Sequence, residues 1–168
     1  MRISLAFKSI IFSVLVPGTV VIYLPYLILG QSKRLPQLLD TAHVHPAMVG
    51  LLVGAGIYIR CAWDFAVSGQ GTPAPLDPPK NLVIVGLYRW TRNPLYLGVL
   101  TVLLAEAAFF LSRELTIYVA SIAMMLHLAV VFYEEPLLRA RFGPDYSAYC
   151  REVPRWGIAR RPYSLNTG

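Results

Sequence analysis

The chain has 168 residues, of which 56% are hydrophobic and only 14% are charged, whereas an ordinary soluble domain carries about 25% charged residues. Its length fits one domain, residues 1–168, and its composition excludes a typical water-soluble fold in favour of a protein of the lipid bilayer. The net charge of +6 is compatible with nucleic-acid binding. The basic residues flank apolar runs, however, as they do in membrane proteins, so no nucleic-acid partner is expected.

The first apolar run, residues 10–30, is predicted to be a membrane-spanning helix. It contains no charged residue, and it reaches the roughly 20 residues that a helix needs to cross the hydrocarbon. Pro17 and Pro25 predict kinks, which neighbouring helices can accommodate. A signal peptide fits less well, because the run is too long and no A-x-A-like cleavage site follows it.

The second apolar run, residues 46–68, is predicted to be the second span. Gly50 and Gly54 have a spacing that lets helix backbones approach closely and that would also permit self-association. Arg60 and Asp64 lie one helical turn apart in its last third, so an ion pair is predicted between them. The pair also lies at the depth in the membrane at which it could border a channel for an acceptor substrate.

Two further apolar runs are predicted to form an antiparallel helical hairpin. The third span covers residues 94–112, and its one charge, Glu106, lies too deep to reach a site at the membrane face and is interpreted as a structural hydrogen bonder. A tight polar turn is predicted at residues 113–114. The fourth span covers residues 115–133, and His127 within it is either a packing histidine or a member of a site.

Lysine and arginine are distributed unequally between the two sides that four spans would create. One side would hold both termini, the loop after the second span and eleven basic residues, against Lys33, Arg34 and Arg113 on the other side. The eleven are Arg2, Lys8, Lys80, Arg89, Arg92, Arg139, Arg141, Arg151, Arg155, Arg160 and Arg161. Because basic residues favour the cytoplasmic side, both termini are predicted to be cytoplasmic. The predicted fold is an all-α, polytopic membrane helix bundle with about four transmembrane helices.

The polar segments outside the spans are a proline-rich loop and a C-terminal tail. Residues 69–79 are extended by composition, and their G-x-G has no strand before it, so a dinucleotide-binding loop is rejected. In the tail, Gly143 can end the fourth helix, and a short helix over residues 145–152 can follow it. Trp156, with arginines near it, is interpreted as an interfacial anchor.

Neither a disulfide nor a metal site is expected. Cys61 falls in a span and Cys150 in the tail, so two unpaired thiols are favoured. His43 and His45 resemble a metal-binding pair only weakly, because no further ligands accompany them, and a solvated loop is the simpler interpretation.

Polar groups that meet at one membrane face are the strongest indication of a site. The segment 92–94 opens the third span, and Glu134 and Glu135 follow the fourth, so a hairpin brings them to the same face. Charge near a bilayer is costly and often functional. Each group also has a simpler interpretation, since Arg92 can snorkel and Asn93 can cap a helix. Glu135 can balance its i+4 arginine, but Glu134 has no such neighbour and needs another partner.

Residues between Leu82 and Pro154 keep a spacing found in a known family. They are Leu82, Val83, Gly86, Leu87, Tyr88, Arg92, Asn93, Pro94, Tyr96, Gly98, Glu134, Glu135, Phe142, Gly143, Tyr146, Tyr149, Val153 and Pro154. With these residues the chain resembles the membrane methyltransferases that include isoprenylcysteine carboxyl methyltransferase and phospholipid N-methyltransferase. The resemblance divides the domain into two N-terminal spans, residues 1–68, and a cofactor-binding half, residues 69–168.

The resemblance implies S-adenosyl-L-methionine as the cofactor, bound at the cytoplasmic face under the C-terminal tail and its short helix, without a metal. The residues it implies are Asn81, Leu82, Val83 and Tyr88 at the adenosine end, Asn93, Pro94, Leu95 and Tyr96 along the cofactor, and Glu134 as the catalytic residue at its charged end. In the isoprenylcysteine enzymes a His often stands at the position of Asn93, and a substrate-binding Arg stands at the position of Val130.

The activity implied is methyl transfer to an amphipathic or lipid-like acceptor that enters from the bilayer. A carboxylate or thiolate acceptor would need no strong base, whereas an amine must lose a proton, and His127 or a carboxylate would then matter. Two other classes stay open at this point. One is an NADPH-dependent sterol reductase, although that family has many more spans. The other is a non-catalytic membrane accessory protein, which would need neither Asn93 nor Glu134.

Overall fold

The computed structural model describes residues 15–30, 44–68 and 82–164, and the architecture of these ranges is all-helical. Four helices make it up. They are α1, Leu15–Gly30; α2, Val44–Ser68; α3, Pro94–Phe110; and α4, Arg113–Glu152. A short 3₁₀ turn, Gly86–Arg89, lies between α2 and α3.

Two of these helices are long and apolar enough to cross a membrane, over Val44–Asp64 and Arg113–Glu152. The other two, Leu15–Gly30 and Pro94–Phe110, are apolar but shorter. The charged residues of α4 are concentrated in its second half, from Glu134 onward. Since roughly 20 residues cross the hydrocarbon, the apolar first half of α4 is the part suited to a bilayer.

α2 and α3 pack antiparallel through glycines, as the spacing of small residues predicts. A Cβ at Gly54 would stand 2.8 Å from the carbonyl oxygen of Gly98, and a Cβ at Gly98 would stand 3.0 Å from the carbonyl oxygen of Gly54. A Cβ at Gly50 would stand 2.9 Å from that of Ala105. The glycine face is therefore filled by α3 of the same chain, so in this arrangement it is not open to self-association.

The hairpin of α3 and α4 turns two residues earlier than predicted. Leu111 has a left-handed conformation with φ 46°, which ends α3, and Ser112 caps α4 by accepting a hydrogen bond of 3.2 Å from the Leu115 N–H. The N-cap hydroxyl satisfies one of the free N–H groups of the first turn. A buried cluster holds the hairpin together, consisting of Val99, Leu103, Ala107, Leu115, Val119 and Ile122. α1 packs against it, and Tyr118 donates a hydrogen bond of 2.9 Å to the carbonyl oxygen of Val20.

Two helices contain a π-helical turn. In α1 it covers Thr19–Tyr23, directly before the helical turn with Pro25, which has no N–H to continue the ladder. The kinks expected at Pro17 and Pro25 themselves stay predictions. In α4 it covers Val130–Glu134. The helix continues beyond the predicted end of the apolar span at residue 133, and it bends at Gly143, where φ is 51° and ψ is −121°. The predicted break at Gly143 is confirmed.

Candidate active site

The segment that leads into α3 is held against the end of α2. Gly86 has φ +54°, and a Cβ there would stand 2.1 Å from a carboxylate oxygen of Asp64, so only glycine fits. Asp64 is buried and binds Arg60, with Nη2 3.2 Å from Oδ1 and Nε 3.2 Å from Oδ2. The predicted Arg60–Asp64 pair is confirmed, and the Asp64 carboxylate lies close against Gly86 at the start of the turn after Val85.

Tyr88 is the buried centre of this segment. It packs with Cys61 and Val83 in one cluster, to which Leu95 at the start of α3 also contributes. Its backbone carbonyl accepts a hydrogen bond of 2.5 Å from the Tyr149 hydroxyl. Burial raises the pKa of Tyr88 well above its ordinary value, so its phenol stays protonated near neutral pH.

Glu134 finds its partner across the hairpin. The hydroxyl of Tyr96, in the first turn of α3, donates a hydrogen bond to Glu134 Oε1. Both residues are half-buried. Glu134 is the last residue of the π-helical turn of α4, and single π turns are frequent at functional sites. The prediction that Glu134 needs a partner outside its own helix is confirmed.

Glu135 is the centre of an ion-pair cluster, so the interpretation that it only balances Arg139 is wrong. Its side chain is 6% exposed, and Oε1 lies 3.0 Å from Nη1 of Arg92 and 2.6 Å from Nε of Arg155. Arg155 also donates to Oε2 at 3.0 Å, while Arg139 lies farther away at 3.8 Å. Burial alone would raise the pKa of Glu135, but the hydrogen bond from Arg155 and the charges of the three arginines outweigh it and hold the pKa below its ordinary value.

Arg92 does not snorkel into water. Its side chain is 11% exposed, and besides Glu135 it contacts the thiol of Cys150, with Nη1 2.9 Å from Sγ. Its Nε is buried and has no hydrogen-bond partner among the described residues. Cys150 and Cys61 are free, as predicted.

The C-terminal tail lies along the segment that opens α3. Asn93 does not cap the helix with its side chain, which instead donates a hydrogen bond of 3.1 Å to the carbonyl oxygen of Arg155. The backbone N–H of Arg92 donates to the carbonyl of Pro154 at 3.0 Å, and the N–H of Ala159 donates to the carbonyl of Trp90 at 2.7 Å. Asn93 does hold the N-cap position, with Pro94 opening the helix and the Asn93 carbonyl accepting from the Leu97 N–H at 3.1 Å, but its side chain binds the tail instead of capping the helix.

Trp156 anchors the tail to α4 rather than to the membrane surface alone. Its indole Nε1 donates a hydrogen bond of 3.0 Å to Nδ1 of His127. An indole N–H can only donate, so this geometry assigns Nδ1 as the unprotonated nitrogen of His127. The seven-residue spacing that predicts a common face for His127 and Glu134 assumes an uninterrupted α-helix, and the π turn between them breaks that assumption. His127 is thus an anchor for the tail in this arrangement.

The structure brings most of the predicted site residues together around the start of α3. These are Val83, Tyr88, Asn93, Pro94, Leu95, Tyr96 and Glu134. Leu82 packs instead in a separate cluster with Ile84, Tyr146, Tyr149 and Val153. Asn81 lies outside the described residues. Glu106 is interpreted from the sequence as a structural hydrogen bonder; its Oε2 is buried without a partner among the described residues, so that role stays a prediction.

Sequence reasoning missed the roles of Glu135 and Arg155. The signal that could have found them is the pair of adjacent acidic residues beside a tail with several arginines. No group of metal-ligating residues occurs within the described ranges. His45 is exposed at the start of α2, and His43 lies outside the described residues.

This geometry defines a class of protein, the helical membrane proteins that have a cluster of polar side chains at the open end of a helical hairpin. Comparison with known families is more specific, since a model of the phospholipid methyltransferase family matches residues 46–145. The match covers more than half of the chain, and the chain belongs to this family. No curated protein and no solved structure gives a significant match. The protein is accordingly a membrane methyltransferase that depends on S-adenosylmethionine.

The described residues fit such a cofactor. Its sulfonium and ammonium groups are cationic and suit a half-buried carboxylate such as Glu134. Its carboxylate and ring nitrogens are acceptors, and Arg92 offers a buried Nε donor that no described residue accepts from. Tyr88, Val83 and Leu95 supply an apolar surface next to these groups.

Proposed function

We propose that the chain transfers a methyl group to an amphipathic, lipid-like acceptor at the site between the start of α3 and residue Glu134. The single observation that carries this is the hydrogen bond from Tyr96 to Glu134, which joins two family-motif residues across the hairpin. S-adenosylmethionine supplies the electrophilic methyl group, and the protein supplies alignment and a water-poor site.

In this proposal Glu134 is the catalytic residue and holds the ammonium group of the cofactor, with Tyr96 fixing the orientation of its carboxylate. Asn93, Pro94 and Leu95 line the length of the cofactor. The adenosine end lies against Asn81, Leu82, Val83 and Tyr88. The tail from Val153 to Tyr163 excludes water from the site, since it is bonded to the segment before Asn93.

The acceptor is proposed to enter laterally from the bilayer. Membership of the phospholipid methyltransferase family implies a lipid substrate. A carboxylate acceptor like that of the isoprenylcysteine enzymes is the more specific alternative. An amine acceptor would need a group to receive its proton, but Nδ1 of His127 is already engaged by Trp156, and Glu134 is engaged by Tyr96 and, in this proposal, by the cofactor. Incubation with methyl-labelled cofactor and a lipid extract, followed by identification of the labelled lipid, decides among oxygen, nitrogen and sulfur acceptors.

The cofactor is tested by thermal unfolding of the purified protein in detergent. S-adenosylmethionine and S-adenosylhomocysteine are expected to raise the melting temperature by mass action, because each binds the folded chain. NADPH serves as the control for the reductase alternative and is expected to have no effect. Stabilisation by NADPH, combined with no response to the methyl-donor ligands, would overturn the proposal.

The membrane arrangement we propose is one domain, residues 1–168, with four crossings and with both termini and the active site on the cytoplasmic side. The support is the excess of arginine and lysine on that side. The start of α3 lies next to the end of the apolar half of α4, and the polar cluster forms at this one end of the hairpin. This placement supports an active site on a single side of the membrane.

Topology is tested with reporter fusions in cells. Fusions after Arg34 and after Arg113 are expected to report the outer side, and fusions after Pro79 and at the C-terminus are expected to report the cytoplasm. A C-terminal reporter on the outer side would show that the basic residues do not set the orientation here.

A further inference from the structure

The end of the tail forms a short exposed arch that is fixed at both of its ends. At its start, the N–H of Ala159 donates a hydrogen bond of 2.7 Å to the carbonyl oxygen of Trp90. At its end, the N–H of Tyr163 donates one of 2.9 Å to the carbonyl oxygen of Arg89, and Nε of Arg89 donates to the Tyr163 carbonyl at 2.7 Å. Residues 160–162, the tail arch, are exposed between these two anchors.

The tail arch presents two cations beside exposed apolar side chains. Arg160 and Arg161 are exposed, and neither forms an ion pair within the described part of the chain. Ile158, two residues before Arg160, is 78% exposed, and Trp90, to which the start of the arch is bonded, is 37% exposed. Exposed apolar groups next to basic groups are the combination by which interfacial segments bind anionic bilayers.

The chain reaches the apolar half of α4 just before the arch. Trp156 donates its hydrogen bond of 3.0 Å to His127, which precedes Glu134 by seven residues, or roughly 10 Å along a helix. In the proposed arrangement residues 115–133 lie in the bilayer, so Trp156 lies at the level of the lipids. Arg160 is four residues farther along the chain, at most about 14 Å away. The tail arch is therefore within reach of the headgroup layer.

We propose that the tail arch is a docking surface for the anionic headgroups of the membrane leaflet on the side of the site. The inference rests on the proposed function and its membrane arrangement, and it concerns lipids that are not the methyl acceptor. Charge complementarity carries it, because each basic residue near an anionic leaflet is attracted to it and both arginines of the arch lack a counter-charge.

The anchors of the arch favour docking, and docking in turn acts on the site. Since the hydrogen bonds to Trp90 and Arg89 already fix the backbone, the arch loses less conformational entropy on binding than a free tail would. The same tail accepts hydrogen bonds from the side chain of Asn93 and from the backbone N–H of Arg92. A docked arch therefore also holds the tail against the segment that opens α3.

The test measures hydrogen exchange of the backbone amides of residues 158–163 in two kinds of nanodisc. One contains dioleoylphosphatidylcholine alone, and the other an equal mixture of it with dioleoylphosphatidylglycerol. Exchange in the wild type is expected to be about tenfold or more slower in the anionic nanodiscs, because each basic residue near an anionic surface contributes about fivefold to the docking equilibrium. Added salt should reduce the difference by screening. Arg160→Gln combined with Arg161→Gln should remove it.

Arg141→Gln combined with Arg151→Gln is the matched control, because it removes the same charge from two exposed arginines of α4 outside the arch, and it should keep the slower exchange. If the wild type exchanges equally in both nanodiscs, the arch does not dock on anionic lipid and the proposal is overturned. An equal loss of the difference in the two double variants would assign it to net charge and overturns the proposal as well. S-adenosylhomocysteine affinity is measured in the same nanodiscs. Its absence contradicts the proposed function, whereas the exchange rates, recorded without the ligand, decide the docking surface separately.

Discussion

Replacing Glu135 with Gln is expected to lower the free energy of unfolding by about 3–5 kcal/mol, the usual effect of removing one partner from a buried ion pair. Arg92, whose side chain is only 11% exposed, would keep its charge without a buried counter-charge. Arg155 now donates to both oxygens of Glu135, and a Gln side chain, with its single amide oxygen, can keep at most one of these two acceptors. The measurement is unfolding in mixed micelles titrated with a denaturing detergent.

Arg139→Gln is the control for this prediction. Arg139 is the outermost member of the cluster, 55% exposed and 3.8 Å from Glu135, so its loss should change stability by about 1 kcal/mol or less. If Glu135→Gln and Arg139→Gln lower the free energy of unfolding equally, the i,i+4 pair of Glu135 with Arg139 explains the result, and the importance of the cluster is contradicted.

The Glu135 cluster also predicts a pH dependence. A carboxyl group whose pKa is lowered in the folded protein stabilises it fully above its unfolded-state pKa, about 4.3 for Glu. That contribution is lost as the pH falls through the folded-state value. The stability difference between the wild type and Glu135→Gln should therefore be largest near neutral pH and should shrink in acid. A difference that grows as the pH falls would contradict the lowered pKa.

Replacing Glu134 with Gln is expected to weaken cofactor binding about ten- to hundredfold, which corresponds to the roughly 1.5–3 kcal/mol of a hydrogen bond to a charged group. The substitution keeps the shape of the side chain and removes the charge that would hold the cofactor's ammonium group. Tyr96→Phe should produce a smaller loss, because it removes only the donor that orients Glu134. The measurement is a titration of each variant with S-adenosylhomocysteine.

Glu152→Gln is the matched control for Glu134→Gln, because Glu152 is an exposed carboxylate at the end of α4. Its affinity for S-adenosylhomocysteine should equal that of the wild type. If Glu134→Gln and Glu152→Gln bind the ligand equally well, Glu134 is not a ligand of the cofactor. Glu135→Gln does not serve as the control, since it is buried and its loss disturbs the tail.

Features that depend on neighbours along the chain could be predicted from the sequence. The apolar runs predict helices, and the spacing of Gly50 and Gly54 predicts a close helix contact, because side chains three or four residues apart share a helix face. The ion pair of Arg60 and Asp64 follows from the same periodicity. The segment 92–94 and the pair Glu134 and Glu135 were likewise predicted to meet at one end of a hairpin, and Arg92 does contact Glu135 there.

Features that depend on distant parts of the chain were decided only by the tertiary structure. Counting along the helix gave Glu135 the partner Arg139, but its nearer partners, Arg92 and Arg155, come from the start of α3 and from the tail. The physical reason is that a buried carboxylate loses its contacts with water and is stabilised by the charged groups that replace those contacts most completely. Packing, rather than distance along the sequence, decides which groups these are. For the same reason the tail, rather than the helix end, takes the side chain of Asn93. Local periodicity thus determined the helices and their close contacts, and the packing of the tail against the hairpin determined which polar groups form the site.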